Sequence, residues 1–220
     1  MAMAHPPSDA APVPVTWRSG VLPGVLGLLL AATTGTQQSV LPHGLRAGRH
    51  DVAARLVGPG GSSSLWYPAL CGRRPTAPAT PCRDAPPDTG RFPLLILVWK
   101  DRLAAATDTA TAAYLASHGF VVVAGSEASA AGLRALPFVD TTRIARAQLR
   151  PADALLVAAA GGWQLTVALP PGPSDHIRLS ATVTRAFLDA ALRTAPATLP
   201  DLARRLRAAG LTARLAPAGR

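Results

Sequence analysis

The feature that most constrains this chain is the run Phe92–Trp99, FPLLILVW, which is apolar on both faces and stopped at once by Lys100 and Asp101. A strand with one wet face would alternate with polar residues. A strand-length run without them is expected in the middle of a sheet covered on both sides. The next segment, Thr107–His118 (TDTATAAYLASH), has helical spacing, with Ala112, Leu115 and Ala116 on one face. Gly119 stands where a helix C-terminal cap belongs. Phe120–Ala124 (FVVVA) then reads as a second buried strand. Strand, helix and strand within about thirty residues make a βαβ unit, with a right-handed crossover expected. The fold class that follows is α/β.

Around this unit the pattern is weaker. Leu45–Leu56 and Ser62–Pro68 flank a Gly-Pro-Gly-Gly turn and read as a hairpin. Residues 70–91 are rich in Pro, Arg and Thr and read as a loop. Beyond the βαβ unit, Arg143–Ile144, Ala154–Ala160 (ALLVAAA) and Gln164–Leu169 (QLTVAL) read as short strands. Ser180–Leu192 is amphipathic, with Val183, Phe187, Ala190 and Ala191 on one helical face. A second helix, Leu199–Ala209, opens with Pro200 and Asp201 and stops at Gly210.

The 220 residues suit one domain, and 49% hydrophobic against 15% charged residues suits a chain with a buried core. The net charge of +10 raises the question of nucleic acid. The basic residues are almost all Arg, scattered apart from Arg204, Arg205 and Arg207, and no zinc-finger or helix-turn-helix spacing occurs. Nucleic-acid binding is therefore not expected. Val21–Thr34 (VLPGVLGLLLAATT), preceded by Arg18, resembles a secretory signal peptide. It is shorter than the about 20 apolar residues of a membrane span. Residues 1–40 are accordingly read as a leader and 41–220 as a single domain, with export to the periplasm or medium expected and a cytoplasmic location the alternative. Cys71 and Cys82 flank a Pro-rich loop. In an oxidising compartment they close a disulfide; in a reducing one they are two free thiols. Two cysteines alone make no zinc site, and no His-x-Glu-like pairing accompanies His43 or His50, so neither metal nor other cofactor is expected.

Several segments, in order, resemble the bacterial α/β-hydrolases related to dienelactone hydrolase and platelet-activating-factor acetylhydrolase. They are Trp66-Tyr67-Pro68-Ala69 closing the hairpin, the Pro-led strand FPLLIL, and Leu115–Ala124 (LASHGFVVVA). Asp140–Ala145, a D-x-x-RIA stretch, and His176 ahead of Ala186–Leu192 (AFLDAAL) complete the set, which spans most of residues 45–195. The resemblance implies a mostly parallel sheet flanked by helices and a carboxylic-ester or acyl substrate. It also implies a serine on a G-x-S-x-G elbow after the RIA strand, a histidine base and an acid.

The residues depart from that pattern at the centre of the chemistry. After Ile144-Ala145 stands Arg146-Ala147-Gln148-Leu149-Arg150-Pro151, with no serine, cysteine or elbow glycine, and G-x-S-x-G occurs nowhere. The nearest imitation is Gly125-Ser126-Glu127-Ala128-Ser129, where Ser126 is the best nucleophile candidate and Ser129 the next. No carboxylate follows ALLVAAA; Asp153 precedes it and reads as lying at the opposite end of the sheet. The segment after FPLLIL, Val98–Arg102, is bulky where an oxyanion loop is glycine-rich. His176, in a Pro-Gly-Pro loop, holds the position of the catalytic base by resemblance, whereas His118 reads as a helix-end residue favouring the macrodipole.

The expectation is a shortened α/β-hydrolase that lost its elbow, the following helix and the next strand, and with them its activity. Open edges left by such a loss favour association between copies. The alternatives are a live serine esterase using Ser126, and an exported binding module with an apolar site around Trp66, Tyr67 and Trp99.

Overall fold

A computed structural model describes residues 45–58, 63–72, 81–99, 105–125, 132–150, 152–158, 162–169, 173–194 and 198–218. Within these, the strands are β1 (Asp51–Val57), β2 (Ser63–Ala69), β3 (Cys82–Arg83), β4 (Phe92–Trp99) and β5 (Val121–Ala124). They continue with β6 (Val139–Leu149), β7 (Asp153–Ala158), β8 (Trp163–Ala168) and β9 (Ala213–Pro217). The helices are α1 (Ala105–Ser117), α2 (Pro173–Leu188), which runs into a π-helical turn at Asp189–Thr194, and α3 (Leu199–Ala208).

All nine strands form one sheet in the order β3-β1-β2-β5-β4-β6-β7-β8-β9. The sheet is mixed. β4 pairs in parallel with both β5 and β6, and β1 with β3. The pairs β1–β2, β2–β5, β6–β7, β7–β8 and β8–β9 are antiparallel. The expected mostly parallel sheet flanked by helices is therefore wrong, and the reason is connection length. Parallel neighbours need a crossover of a dozen or more residues. Only α1 supplies one in the centre, while β6, β7 and β8 are joined by turns too short for anything but antiparallel return.

Among the described residues the three α-helices do not flank the sheet on both faces either. One core cluster joins Leu95, Leu97, Val122, Ala147, Leu156 and Leu165 of the sheet to buried residues of α1, α2 and α3. The opposite face has its own smaller cluster, in which Leu94, Ile96, Val121 and Val123 meet Leu133, Phe138 and Val139. The βαβ centre is thus buried on both sides, as the FPLLILVW run requires, although among the described residues the α-helices pack on one side and the other carries only the short 3-10 turn Gly132–Ala135. In β7 the burial alternates residue by residue, the mark of a sheet with one covered face. Outward-facing Val98, Arg146, Gln148, Leu155 and Val157 there line a shallow depression.

The amino half follows the sequence in its hairpin and in the end of α1, whereas the segment 70–91, expected to be a loop, contains β3 paired with β1 and a bridge from Pro87 to Ala69. β1 and β2 pair as a hairpin, from Asp51 opposite Ala69 to Val57 opposite Ser63. Gly119, with φ +84°, ends α1 in the left-handed region that favours glycine. Gly48 is fixed by close approach: a Cβ there would lie 2.1 Å from the Ser117 carbonyl oxygen. The sulfurs of Cys71 and Cys82 are bonded, which ties the end of β2 to β3.

Candidate functional site

In open α/β sheets the chemistry gathers at the carboxyl ends of the parallel strands, here the ends of β4, β5 and β6. The strand expected to break into an elbow does not break. Ala147, Gln148 and Leu149 continue β6, opposite Leu97, Val98 and Trp99 of β4 on one side. Leu156, Leu155 and Ala154 of β7 pair with the same three residues on the other. A turn then closes through the Arg150 amide, which donates to the Asp153 carbonyl at 2.8 Å. The backbone that would present a nucleophile is spent on two ladders.

The start of β6 explains the D-x-x-RIA pattern in structural terms. Between Pro93 and Leu94 the β4–β6 register jumps, from Asp140 to Ile144, so Thr141–Arg143 bulge out of the ladder. Asp140 organises this bulge. Its carboxylate accepts from the Thr142 hydroxyl at 2.6 Å, the Thr142 amide at 3.0 Å and Arg143 Nε at 2.6 Å. The Thr142 hydroxyl bond, with Arg143 and the amide, outweighs burial and brings the Asp140 pKa from 3.8 to about 2.

His176 is not in a loop. It lies in the first turn of α2, because Pro173 opens the helix and Asp175 follows in the turn that favours acids. Its Nε2 donates to the Arg150 carbonyl at 2.9 Å. A carbonyl only accepts, so the proton of the neutral ring is on Nε2 and the lone pair on Nδ1. The histidine thereby pins the start of α2 to the β6–β7 turn, at the carboxyl end of β6. Asp175 does not orient it: the Asp175 carboxylate is exposed and pairs with Arg178 at 3.2 Å.

Asp153 corrects the sequence reading. Because β7 runs antiparallel to β6, its first residue lies at the same end of the sheet as the His176–Arg150 bond. Its Oδ1 faces Arg150 Nε at 3.8 Å, an ion pair that closes no hydrogen bond. Arg150 also donates to Gln148 Oε1 at 2.9 Å. The structure therefore brings His176, Arg150, Gln148 and Asp153 to one strand end, but with no hydroxyl or thiol joined to them by a hydrogen bond among the described residues. Ser126 and Ser129, the two serines of the Gly125–Ser129 stretch, lie outside the described residues, as do Lys100–Arg102.

A second histidine–carboxylate pair was not anticipated. His50 Nδ1 meets Asp88 Oδ2 at 2.7 Å, with His50 edge-on to Phe92 at 5.5 Å between ring centres. Burial opposes ionisation of Asp88, yet the bonds from His50 and Thr89 hold its carboxyl below the usual value. This pair resembles the base and orienter of a hydrolase. It sits, however, at the amino ends of β1 and β4, the end away from the β6–β7 turn. The only trace in the sequence is His50 directly before β1 and Asp88 four residues ahead of β4, a spacing without meaning until the strands are paired.

The apolar site imagined around Trp66 and Tyr67 is not open: both side chains are buried, on opposite faces of β2. The Trp99 side chain lies outside the described residues. Among the described residues no three His, Cys, Asp or Glu side chains group so as to hold a metal ion, and no helix is long and apolar enough to cross a membrane.

No protein-family model matches the chain, and no curated protein does. Among solved structures, a ferulic acid esterase from Streptomyces cinnamoneus is similar with a TM-score of 0.29 and 23% identity over 36% of this chain and 35% of its own. The chain thus matches about a third of that esterase's length, an extent on which no family assignment is made.

Proposed function

We propose that this protein is a non-catalytic relative of carboxylic-ester hydrolases of the α/β-hydrolase kind. The ordered motifs from WYPA to AFLDAAL support the kinship. The loss of activity rests on one observation: Ala147-Gln148-Leu149 is bonded into the sheet from both sides, where a nucleophile would need a sharp strand-to-helix turn. Removing that turn removes the hydroxyl, and a histidine and an acid without a nucleophile do not form an acyl-enzyme. His176, in the position of the base, is employed as an anchor for α2. The Cys71–Cys82 bond supports export, since such bonds persist in oxidising compartments.

The test is covalent labelling of the full chain with a fluorophosphonate probe, alongside hydrolysis of short-chain p-nitrophenyl esters. The expected result is neither labelling nor turnover above buffer. Labelling that disappears in Ser126→Ala would overturn the proposal and establish a serine esterase.

A further inference from the structure

The carboxyl end of α1 carries an unusual concentration of titratable groups. Arg193, in the π-helical turn Asp189–Thr194, donates through Nη2 to the carbonyls of His118 at 2.8 Å and Gly119 at 2.7 Å. Its guanidinium lies over the Phe120 ring at 4.1 Å. These contacts clasp the two carbonyls that directly follow α1, at the end where helix carbonyls lack partners within the helix. Asp189 bridges two guanidiniums, Arg193 at 3.2 Å and Arg185 at 3.4 Å. Arg185 in turn donates to the Tyr114 hydroxyl at 3.2 Å.

His118 sits inside this arrangement. Its ring packs 4.4 Å from the Tyr114 ring, and its Nδ1 donates to the Tyr114 carbonyl at 2.8 Å. That bond puts the neutral ring's lone pair on Nε2, where acid would add a proton. From the other side, Arg49 and His50 approach: Arg49 Nε donates to His50 Nε2 at 3.2 Å, and His50 holds Asp88 at 2.7 Å. A Cβ on Gly119 would lie 2.8 Å from Arg193 Nη2 and 3.2 Å from His50 Nε2, so both groups converge on that glycine.

We propose that this is an acid-sensitive clasp: protonation of His118 releases the π-helical turn Asp189–Thr194 from the carboxyl end of α1. A charged His118 adds a third cation to Arg185 and Arg193, whose shared carboxylate is already divided between them. The hydrogen bonds that clasp the helix run from Arg193 to His118's own carbonyl, so the repulsion acts on the residue pair that forms the clasp. Burial, reinforced by Arg185 and Arg193 against the Tyr114 carbonyl and Asp189, holds the His118 pKa below the usual histidine value. A group depressed in the closed form favours closure above the ordinary histidine range and loses that contribution as pH falls through it.

The experiment is amide hydrogen exchange on the full, disulfide-bonded chain at about pH 7.5 and about pH 5, with rates normalised to intrinsic exchange. The amides of residues 189–194 and of Phe120 are expected to lose protection at the lower pH. Below both values the opening constant rises tenfold for each unit by which the closed-state pKa lies below the open-state one, and at intermediate pH it rises by less. His118→Gln should abolish the pH dependence and His50→Gln should keep it. Equal protection at both pH values, or a transition that survives His118→Gln, overturns the proposal. Should His118→Gln fail to fold, NMR titration of His118 in the unaltered chain decides: a value at or above that of a free histidine overturns the clasp, and a lower one supports it.

Discussion

Replacing Asp140 by Asn should expose how much the bulge at the start of β6 contributes to the fold. Asp140 is buried and accepts three bonds, one from a guanidinium. Its pKa falls from 3.8 to about 2, so ionisation stabilises the folded chain by about 2 kcal/mol at neutral pH, at about 1.4 kcal/mol for each tenfold change in the ionisation constant. Because the folded-state pKa is depressed, that contribution is complete above the ordinary carboxylate value. It is lost as pH falls from about 4 to about 2. Asn keeps one acceptor but loses the charge, so Asp140→Asn should cost about 2 kcal/mol near pH 7. Urea unfolding of both proteins across that range is the assay. The unaltered chain should lose about 2 kcal/mol more than Asp140→Asn between about pH 5 and about pH 2. The difference between the two curves isolates Asp140 from Asp88, which titrates in both. Parallel pH profiles would refute the assignment of this carboxylate as the organiser of the bulge.

Two further perturbations test the other assignments. His176→Ala removes the bond to the Arg150 carbonyl and should lower stability by about 1 kcal/mol, read as a Tm drop of roughly 2–4 °C; unchanged stability would dismiss the anchor role. Replacing Cys71 and Cys82 by Ser opens a loop between residues 11 apart, for which chain entropy gives about 3 kcal/mol; chemical denaturation with and without reductant measures it, and an indifferent Cm would show the bridge to be dispensable.

Much of the amino half was legible because its signals are local. FPLLILVW and FVVVA are apolar at every position, and such runs fit only a strand covered on both faces. Gly119 and Gly210 marked two helix ends correctly. In the carboxyl half the strands ALLVAAA and QLTVAL and both helices are found near their expected places, but the strand directions differ from the expectation for a physical reason. In DALLVA the outward residues Leu155 and Val157 are as apolar as the inward Leu156, so the period of two is hidden. Connection length was the signal that could have found the topology: Arg150–Ala152 leaves no room for a crossover between β6 and β7. That error carried Asp153 to the wrong end of the sheet. β9, with Arg214 and Pro217 in five residues, has little strand character of its own and owes its existence to β8 beside it. Pro-Gly-Pro before His176 looks like a loop in the sequence, although Pro at the first position of a helix is well suited to start it, and Pro173 does so.

The uninterrupted β6 also bears on how the chain reaches its fold. The pairings β6–β7 and β7–β8 join segments adjacent in sequence, so they close small loops at little entropic cost. The pairings Ser64 with Ala124 and Leu94 with Ile144 join distant segments. Folding rates follow the sequence separation of contacts. The meander is therefore expected to form early, with β4, α1 and β5 joining later at its β6 edge. A chain that turned into an elbow helix at this point would have to find its next partner across a long crossover; this one finds it three residues away.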